Sequence, residues 1–512
     1  MHNAAKSAVP AFCQRDHMND EHKPDRQGAT ALALRNMVIV GMSLVATWSV
    51  ALLVRLILPR RLGPSLFGQY SFAEALAING FAFIGLGIDM YIQKEIPRRP
   101  EHASDFFGGT QLVRVLGSVV VLGVIALITR RAGYGDEVVG TTLAFGIAQL
   151  CVLLANTCAT LLYANRRVGR LSALNIAAKV VWAAGVGFAL VRRASLWTYA
   201  AAAVLSEGVR LVVLYRLAQT VAGVRFRVQA RETIAVLRKS SPFWVNQIAI
   251  VLYSKIDVAI MGLLVTDREL GYYGAATNIS SVAMLMSPFM GWVLTPELSR
   301  VVHDKAQFQS MLRRSLEWTL AIAIPIAMML GLGASVIVHT VFGPKFEPAI
   351  NAMRMLMPIF VVVYVAILGA TAMILLDRSW TVTTVTILSL VANAGLNLLV
   401  VRPSWHWLGE GGAGVGAAAV SVGTEAIVAF TYVWFLRKDI LDARNVSSAL
   451  KSLAACGAVI AFHLVFRRLG AWRLPLDAGL YAVLVVATRA VRVSELVGLV
   501  RSTLRRGSNA NS

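Results

Sequence analysis

A chain of 512 residues that is 57% hydrophobic and only 15% charged, with mean hydropathy +0.65, carries more apolar surface than a water-soluble domain can bury. Its net charge of +22 is not a nucleic-acid footprint, because Arg and Lys fall in small groups between apolar runs, with no basic stripe and no interleaved aromatic platform. Composition therefore excludes a soluble domain and a nucleic-acid binder, and predicts an all-α polytopic membrane protein.

In chain order, residues 1–35 lack the apolar core of a signal peptide and read as a disordered cytoplasmic tail; Cys13, His17 and His22 lie there without metal-ligand spacing. Beyond the tail, a requirement of roughly 17–25 mainly apolar residues per helix divides the chain into about fourteen spans. They are 36–59, 69–92, 110–130, 139–163, 171–192, 195–216, 243–264, 270–294, 315–340, 349–375, 380–401, 413–436, 450–467 and 474–490. The expected organisation is an N-lobe (36–220), a cytoplasmic linker (221–242), a C-lobe (243–438), two further helices (439–492) and a cytoplasmic tail (493–512). Cys151, Cys158 and Cys456 fall inside apolar runs and are small core residues rather than a zinc set or a disulfide framework.

The basic residues fix an orientation. With the N-terminus inside, about 32 Lys and Arg fall on the cytoplasmic side and about 12 on the other. The densest groups, Lys94/Arg98/Arg99, Arg166/Arg167/Arg170, Arg225/Arg227/Arg231/Arg238/Lys239 and Arg313/Arg314, all lie on the predicted inner face, so both termini are expected in the cytoplasm. The outer connections are too short to fold as a domain, which counts against a membrane polymerase or ligase.

The first two spans are joined by a short knot of Arg, Gly and Pro. Arg60-Arg61 closes one apolar run, Gly63-Pro64 cannot continue a helix, and Phe67-Gly68-Gln69-Tyr70 opens the next. The same turn recurs. Phe67-Gly68-Gln69-Tyr70-Ser71-Phe72-Ala73 aligns with Leu270-Gly271-Tyr272-Tyr273-Gly274-Ala275-Ala276, with Gly, Tyr and Ala at equal offsets. Weaker echoes keep the order: Tyr134-Gly135 with Phe342-Gly343, and Asn165-Arg166 with Asp377-Arg378. Six spans separate each pair, so both copies share one orientation, and two parallel six-helix lobes around a central cavity are expected, with two appended helices.

The stretches RRLGPSLFGQYSFAEAL, LRKSSPFWVNQIAIVLYSKIDVAIMGLLVTDRELGYYGAATNISSVAMLMSPFMGWVLTPELSR, VFGPKFEPAINAMRMLMPI, LVANAGLNLLVV and GGAGVGAAAVSVGTE carry a resemblance. Over residues 36–490 the chain resembles the polysaccharide-translocase (lipid-linked oligosaccharide or O-antigen flippase) family of the multidrug/oligosaccharidyl-lipid/polysaccharide exporter superfamily. The likeness is strongest from Ser241 to Ser299, with its Tyr253…Asp257 spacing and closing Pro296-Glu297-Leu298-Ser299. It implies an alternating-access carrier in the bacterial inner membrane that moves undecaprenyl-pyrophosphate-linked oligosaccharide outward. The implied partners are that substrate, membrane lipids, a polysaccharide polymerase and a chain-length regulator.

No catalytic, metal-binding or cofactor-binding constellation emerges, and no enzyme activity is expected. Gly409-Glu410-Gly411-Gly412-Ala413-Gly414 matches G-x-G-x-x-G, but no strand precedes it, so it reads as a loop into tight helix packing; there is no P-loop. Charges inside the spans say more. Arg55, Lys179, Arg210, Lys255 and Arg354 are cations in apolar sequence, and Glu207, Asp257 and Glu425 are the acids at similar depth. Each costs about 2.5–3.5 kcal/mol at a helix centre, so such residues face a cavity or a partner. The cations suit a pyrophosphate-binding cavity and the acids suit ion coupling, Asp257 foremost. The plainer reading is that Glu207 and Arg210, at i and i+3, neutralise one another and that Arg55 snorkels. Gly68, Gly271, Pro288 and Pro325 are the expected conformational pivots, with Pro358 a further bend. Asn393 and Asn397 read as interhelical glue. The competing readings are a cation-coupled exporter of small organic molecules and a non-transport scaffold of a polysaccharide-assembly machine.

Overall fold

In a computed structural model of the protein, residues 26–97, 99, 102–164, 168–282, 294–466 and 473–488 are described, and among them there are helices and no strand. The first helix, α1 (Arg26–Ala82), starts inside the expected tail and contains a sharp break at Gly63 (φ 76°, ψ 170°). That backbone is the left-handed side of conformational space, open to Gly and costly for other residues, and Pro64 then stands at the first turn of the second arm. The second span ends early, at Ala82. A turn through Leu86 (φ 59°) and Gly87 (φ 62°) separates it from the short α2 (Ile88–Glu95).

Four long helices complete the first half: α3 (Ala103–Arg131), α4 (Asp136–Ala164), α5 (Val168–Val191) and α6 (Leu196–Ala222). Helix α7 (Ala230–Leu264) begins inside the expected linker and runs through Pro242; α8 (Asp267–Ser280) follows after two residues. Next come α9 (Thr295–Val301) and α10 (Lys305–Leu332), the latter continuous through Pro325 and capped by Asp304, whose carboxylate accepts from the amides of Ala306 and Gln307. The tenth expected span is split by Met357-Pro358 into α11 (Ala349–Leu356) and α12 (Ile359–Leu375). The chain continues with α13 (Ser379–Leu408), α14 (Gly412–Ile440), α15 (Ala443–Val465) and α16 (Arg473–Ala487). Pro288 and the Asn165-Arg166 echo lie outside the described residues.

Ten helices among the described residues are long and apolar enough to cross a membrane, fewer than the fourteen expected. The first two expected spans form one long helix bent at Gly63, α6 carries Glu207, Arg210 and Arg216 within its apolar run, and α8 and α16 have 14 and 15 residues among those described. The helices pack both within and across the expected halves. Within the first, α4 lies against α6 and α5; within the second, α14 lies against α13, α12 and α11. Helices α15 and α16 pack outside both, on α10, through Ile324, Met328, Ala455, Val459, Tyr481 and Val485. One continuous apolar core joins the halves, built around Phe67, Phe72, Tyr272 and Tyr273, where α1 meets α8.

Candidate functional site

The two copies of the repeated turn meet each other. A Cβ on Gly68 would lie 1.9 Å from the carbonyl oxygen of Asp267, and one on Gly271 would lie 1.9 Å from that of Pro64. Each glycine thus touches the backbone four residues ahead of the other, the reciprocal contact that a two-fold-related pair makes. The internal repeat is therefore realised as a crossing of α1 and α8, with bare backbones in contact as in small-residue membrane interfaces. Neither glycine has positive φ. What selects glycine at these two positions is therefore the close approach of backbones, not a left-handed conformation.

Further contacts surround this crossing. Gln69 Nε2 donates to Asp267 Oδ2 at 2.7 Å, Arg60 Nη1 to the Thr340 carbonyl at 2.7 Å, and Tyr134 Oη to the Gly262 carbonyl at 2.9 Å. Both members of the second echo are engaged: Tyr134 stacks on Phe72, and Phe342 packs against Phe346 in the shared core. At this end of the molecule, the outer one in the expected orientation, the two halves are in contact.

Below the crossing, Arg55 and Lys255 line one small cavity between the halves with Tyr70, Glu74, Thr277 and Asn278. Two asparagines hold them across the interface: Asn278 Nδ2 donates to the Arg55 carbonyl at 2.9 Å, and Asn79 Nδ2 to the Lys255 carbonyl at 3.1 Å. Each half thus fixes the backbone of the other half's cation. Arg55 also pairs with Glu74 at 3.2 Å.

The remaining predicted residues are elsewhere. Lys179 and Arg210 gather on Glu207, at 3.6 and 2.9 Å, and Arg210 also donates to Asn156 and Asn175 at 3.1 Å each. Lys179 stands over the Trp182 ring. Here the neutralising reading of the i, i+3 pair is what the geometry shows, with one cation added. Arg354 is in a third place, an apolar groove of about 690 Å³ between α10, α11, α12, α15 and α16 that His463 and Arg473 also line. The five cations therefore occupy three locations. Asp257 accepts from Tyr273 Oη at 2.5 Å and Glu425 from Tyr253 Oη at 2.5 Å, tying α7 to α8 and to α14. Asn393 donates to Thr424 at 3.1 Å and receives Asn397 at 3.0 Å, an interhelical link.

Arg114, Glu269 and the His463–Asp477 pair, all buried, escaped the sequence reading. Arg114, fully buried, donates to the Leu153 carbonyl at 2.9 Å, to Thr157, and at 2.6 Å to the Gly85 carbonyl inside the break between α1 and α2, with Asp89 at 3.7 Å. The signal was there: it is a lone Arg close to the start of the 110–130 run. His463 and Asp477, 2.5 Å apart and both buried, join α15 to α16. The glycine-rich Gly409–Gly414 stretch also gains an explanation. Glu269, at the start of α8, accepts from the amides of Gly411 at 2.6 Å and Ala413 at 3.2 Å, capping α14 from another helix. Gly411 has φ 84° and abuts the Pro348 carbonyl, so the glycines serve this junction. Replacing Glu269 by Ala should cost about 0.5–2 kcal/mol, the usual loss of a cap, read as a lowered Tm of the purified protein; an unchanged Tm would show the junction holds without the carboxylate.

Residues 57–351, more than half of the chain, match the polysaccharide biosynthesis protein family. The chain belongs to that family. Among curated relatives it is similar to the probable low-salt glycan biosynthesis flippase Agl15 of Haloferax volcanii, 22% identical over 67% of this chain and 72% of that protein. It is also similar to the putative O-antigen transporter of Escherichia coli K12, 24% identical over 38% of this chain and 46% of that protein. Among solved structures, the lipid II flippase MurJ in an inward closed conformation superposes with TM-score 0.69 at 12% identity, over 90% of this chain and all of that one. An inward-facing multidrug-resistance MATE transporter superposes with TM-score 0.60 at 14% identity, over 76% of this chain and 97% of that one. The fold is thus the one shared by this flippase and this transporter.

Proposed function

We propose that this protein translocates lipid-linked oligosaccharide across the bacterial inner membrane for surface or exo-polysaccharide biosynthesis, by alternating access between two lobes and without catalysis. The observation that carries the reading is the cation pair Arg55 and Lys255, held between the lobes of a polysaccharide biosynthesis family member by Asn278 and Asn79. A diphosphate linking sugar to lipid spreads negative charge over several oxygens. An Arg fork grips such a group in two places, and a Lys supplies a point charge.

In this arrangement Glu74 occupies Arg55 while the cavity is small, and an arriving phosphate competes for the guanidinium. Opening the outer end then requires α1 and α8 to separate at Gly68 and Gly271. The apolar groove lined by Met328, Arg354, Ile460 and Arg473 has the composition to take an isoprenoid chain, leaving the sugar on the lobe interface. Asp257, in contact with Tyr273 at the start of the second lobe, is the preferred residue for ion coupling. A polymerase and a chain-length regulator are the natural recipients of the product, and both termini belong in the cytoplasm.

The test separates charge from folding. Arg55→Gln with Glu74→Gln removes the pair without leaving a half-buried carboxylate alone, and Lys255→Gln is made beside it. A charge-assisted contact contributes about 1.5–3 kcal/mol, so each variant should export at least about tenfold less surface polysaccharide while lipid-linked sugar accumulates on the inner leaflet. Arg55→Lys should retain part of the activity. Normal export by the triple variant would sink the phosphate-receiving role.

A further inference from the structure

The segment joining the halves carries Arg225, Arg227, Arg231, Arg238 and Lys239, all exposed, within fifteen residues that hold one acid, Glu232. Exposed apolar side chains alternate with them: Phe226, Val228 and Ile234 are 53%, 54% and 65% accessible. We infer that this connector is a docking surface for the headgroups of anionic phospholipids, with its apolar side chains set into the bilayer boundary.

Depth supports this. Helix α7 has 35 residues, about 52 Å at 1.5 Å each, against a hydrocarbon core of about 30 Å. Its apolar portion runs to Leu264, so its first turns stand outside the hydrocarbon. The connector is also fastened at a defined level on α3. The amide of Arg225 donates to Ser104 Oγ at 3.2 Å, the backbone of Arg227 lies against Gly108 where a Cβ would come within 2.3 Å of its carbonyl oxygen, and Thr233 fills the space beside Gly109. Those α3 residues directly precede the apolar run that opens at Leu112, which places Arg225 and Arg227 at headgroup depth.

The chemistry selects the occupant. A soluble acidic partner would be met by cations alone; cations interleaved with Phe, Val and Ile fit a surface that is anionic above and apolar beneath. The close glycine contacts hold the backbone so that the side chains face outward, and the connector is the covalent link between the lobes. Lipid bound here therefore fixes the height of that link while the lobes move.

The experiment uses the full-length protein in nanodiscs containing phosphatidylcholine and phosphatidylglycerol, with bound lipids counted by native mass spectrometry and a spin label on Phe226→Cys reporting depth. The wild type should retain phosphatidylglycerol over phosphatidylcholine, and the label should be more accessible to oxygen than to a polar relaxant. Because each basic residue near an anionic surface is worth about fivefold in binding, Arg225→Gln/Arg227→Gln/Arg231→Gln/Arg238→Gln should cut phosphatidylglycerol retention at least about fivefold. Neutralising Arg300, Lys305, Arg314 and Lys438 instead should leave most of it. Equal losses in the two variants, no preference in the wild type, or a water-exposed label at 226 would each overturn the assignment.

Discussion

Gly68→Ala and Gly271→Ala should each abolish export while the protein still reaches the membrane. An alanine Cβ at either site meets a main-chain carbonyl oxygen at 1.9 Å, far inside contact distance, and a main-chain atom cannot rotate away as a side chain can. The crossing of α1 and α8 must then widen. Widening breaks the reciprocal contact and pulls Gln69 from Asp267, and overpacking of this kind typically costs about 1–3 kcal/mol or more. The choice of alanine discriminates between causes, since a turn that merely needed freedom at normal φ would accept it. A Gln69→Cys/Asp267→Cys pair should cross-link readily in the parent and poorly in either Gly→Ala background, and surface polysaccharide should fall in step. Normal export with an intact cross-link would show that the close approach is dispensable.

Arg114→Met should cost the most stability of any single change considered. The guanidinium holds α4, through Leu153 and Thr157, to the broken joint between α1 and α2, through Gly85 and Asp89. Removing one partner of a buried charged group costs about 3–5 kcal/mol, and here the Gly85 carbonyl and Asp89 lose a charged partner, with Thr157 left to donate to Asp89 at 3.1 Å. Leu86 holds its left-handed backbone next to that same carbonyl, and a residue other than Gly adopts it only where surroundings impose it. The expected result is a sharply lowered yield and Tm, with protease nicking concentrated at residues 83–87. Arg114→Lys should recover only part of the loss, since an ammonium cannot reach acceptors on three sides at once. Wild-type Tm and protease resistance in Arg114→Met would mean that the joint is held by the Trp244 indole, which donates to the Phe83 carbonyl at 2.9 Å, without the arginine.

Much of this protein was legible from residue order alone, for reasons of solvent. A chain in a bilayer must satisfy its backbone locally, so apolar runs of sufficient length declare helices, and the all-α class needed no tertiary information. The resemblance was legible likewise, in the blocks around Arg60–Leu76 and Ser241–Ser299. The repeat was visible in Phe67–Ala73 and Leu270–Ala276 because symmetric halves reuse the same small residues.

What residue order left open was partnership. Arg55 and Lys255 are 200 positions apart, and their shared cavity depends on Asn79 and Asn278 reaching across the lobes. Lys179 and Arg210 read like them in sequence but converge on Glu207, and Arg354 belongs to a groove completed by α15 and α16. Hydropathy reports the cost of burying a charge and is silent about which groups offset it, because those groups are set by three-dimensional contact. For the same reason Gly68 and Gly271 looked like turns: a missing side chain signifies conformational freedom or close approach, and only the neighbouring backbone, brought there by the fold, decided that it was the second.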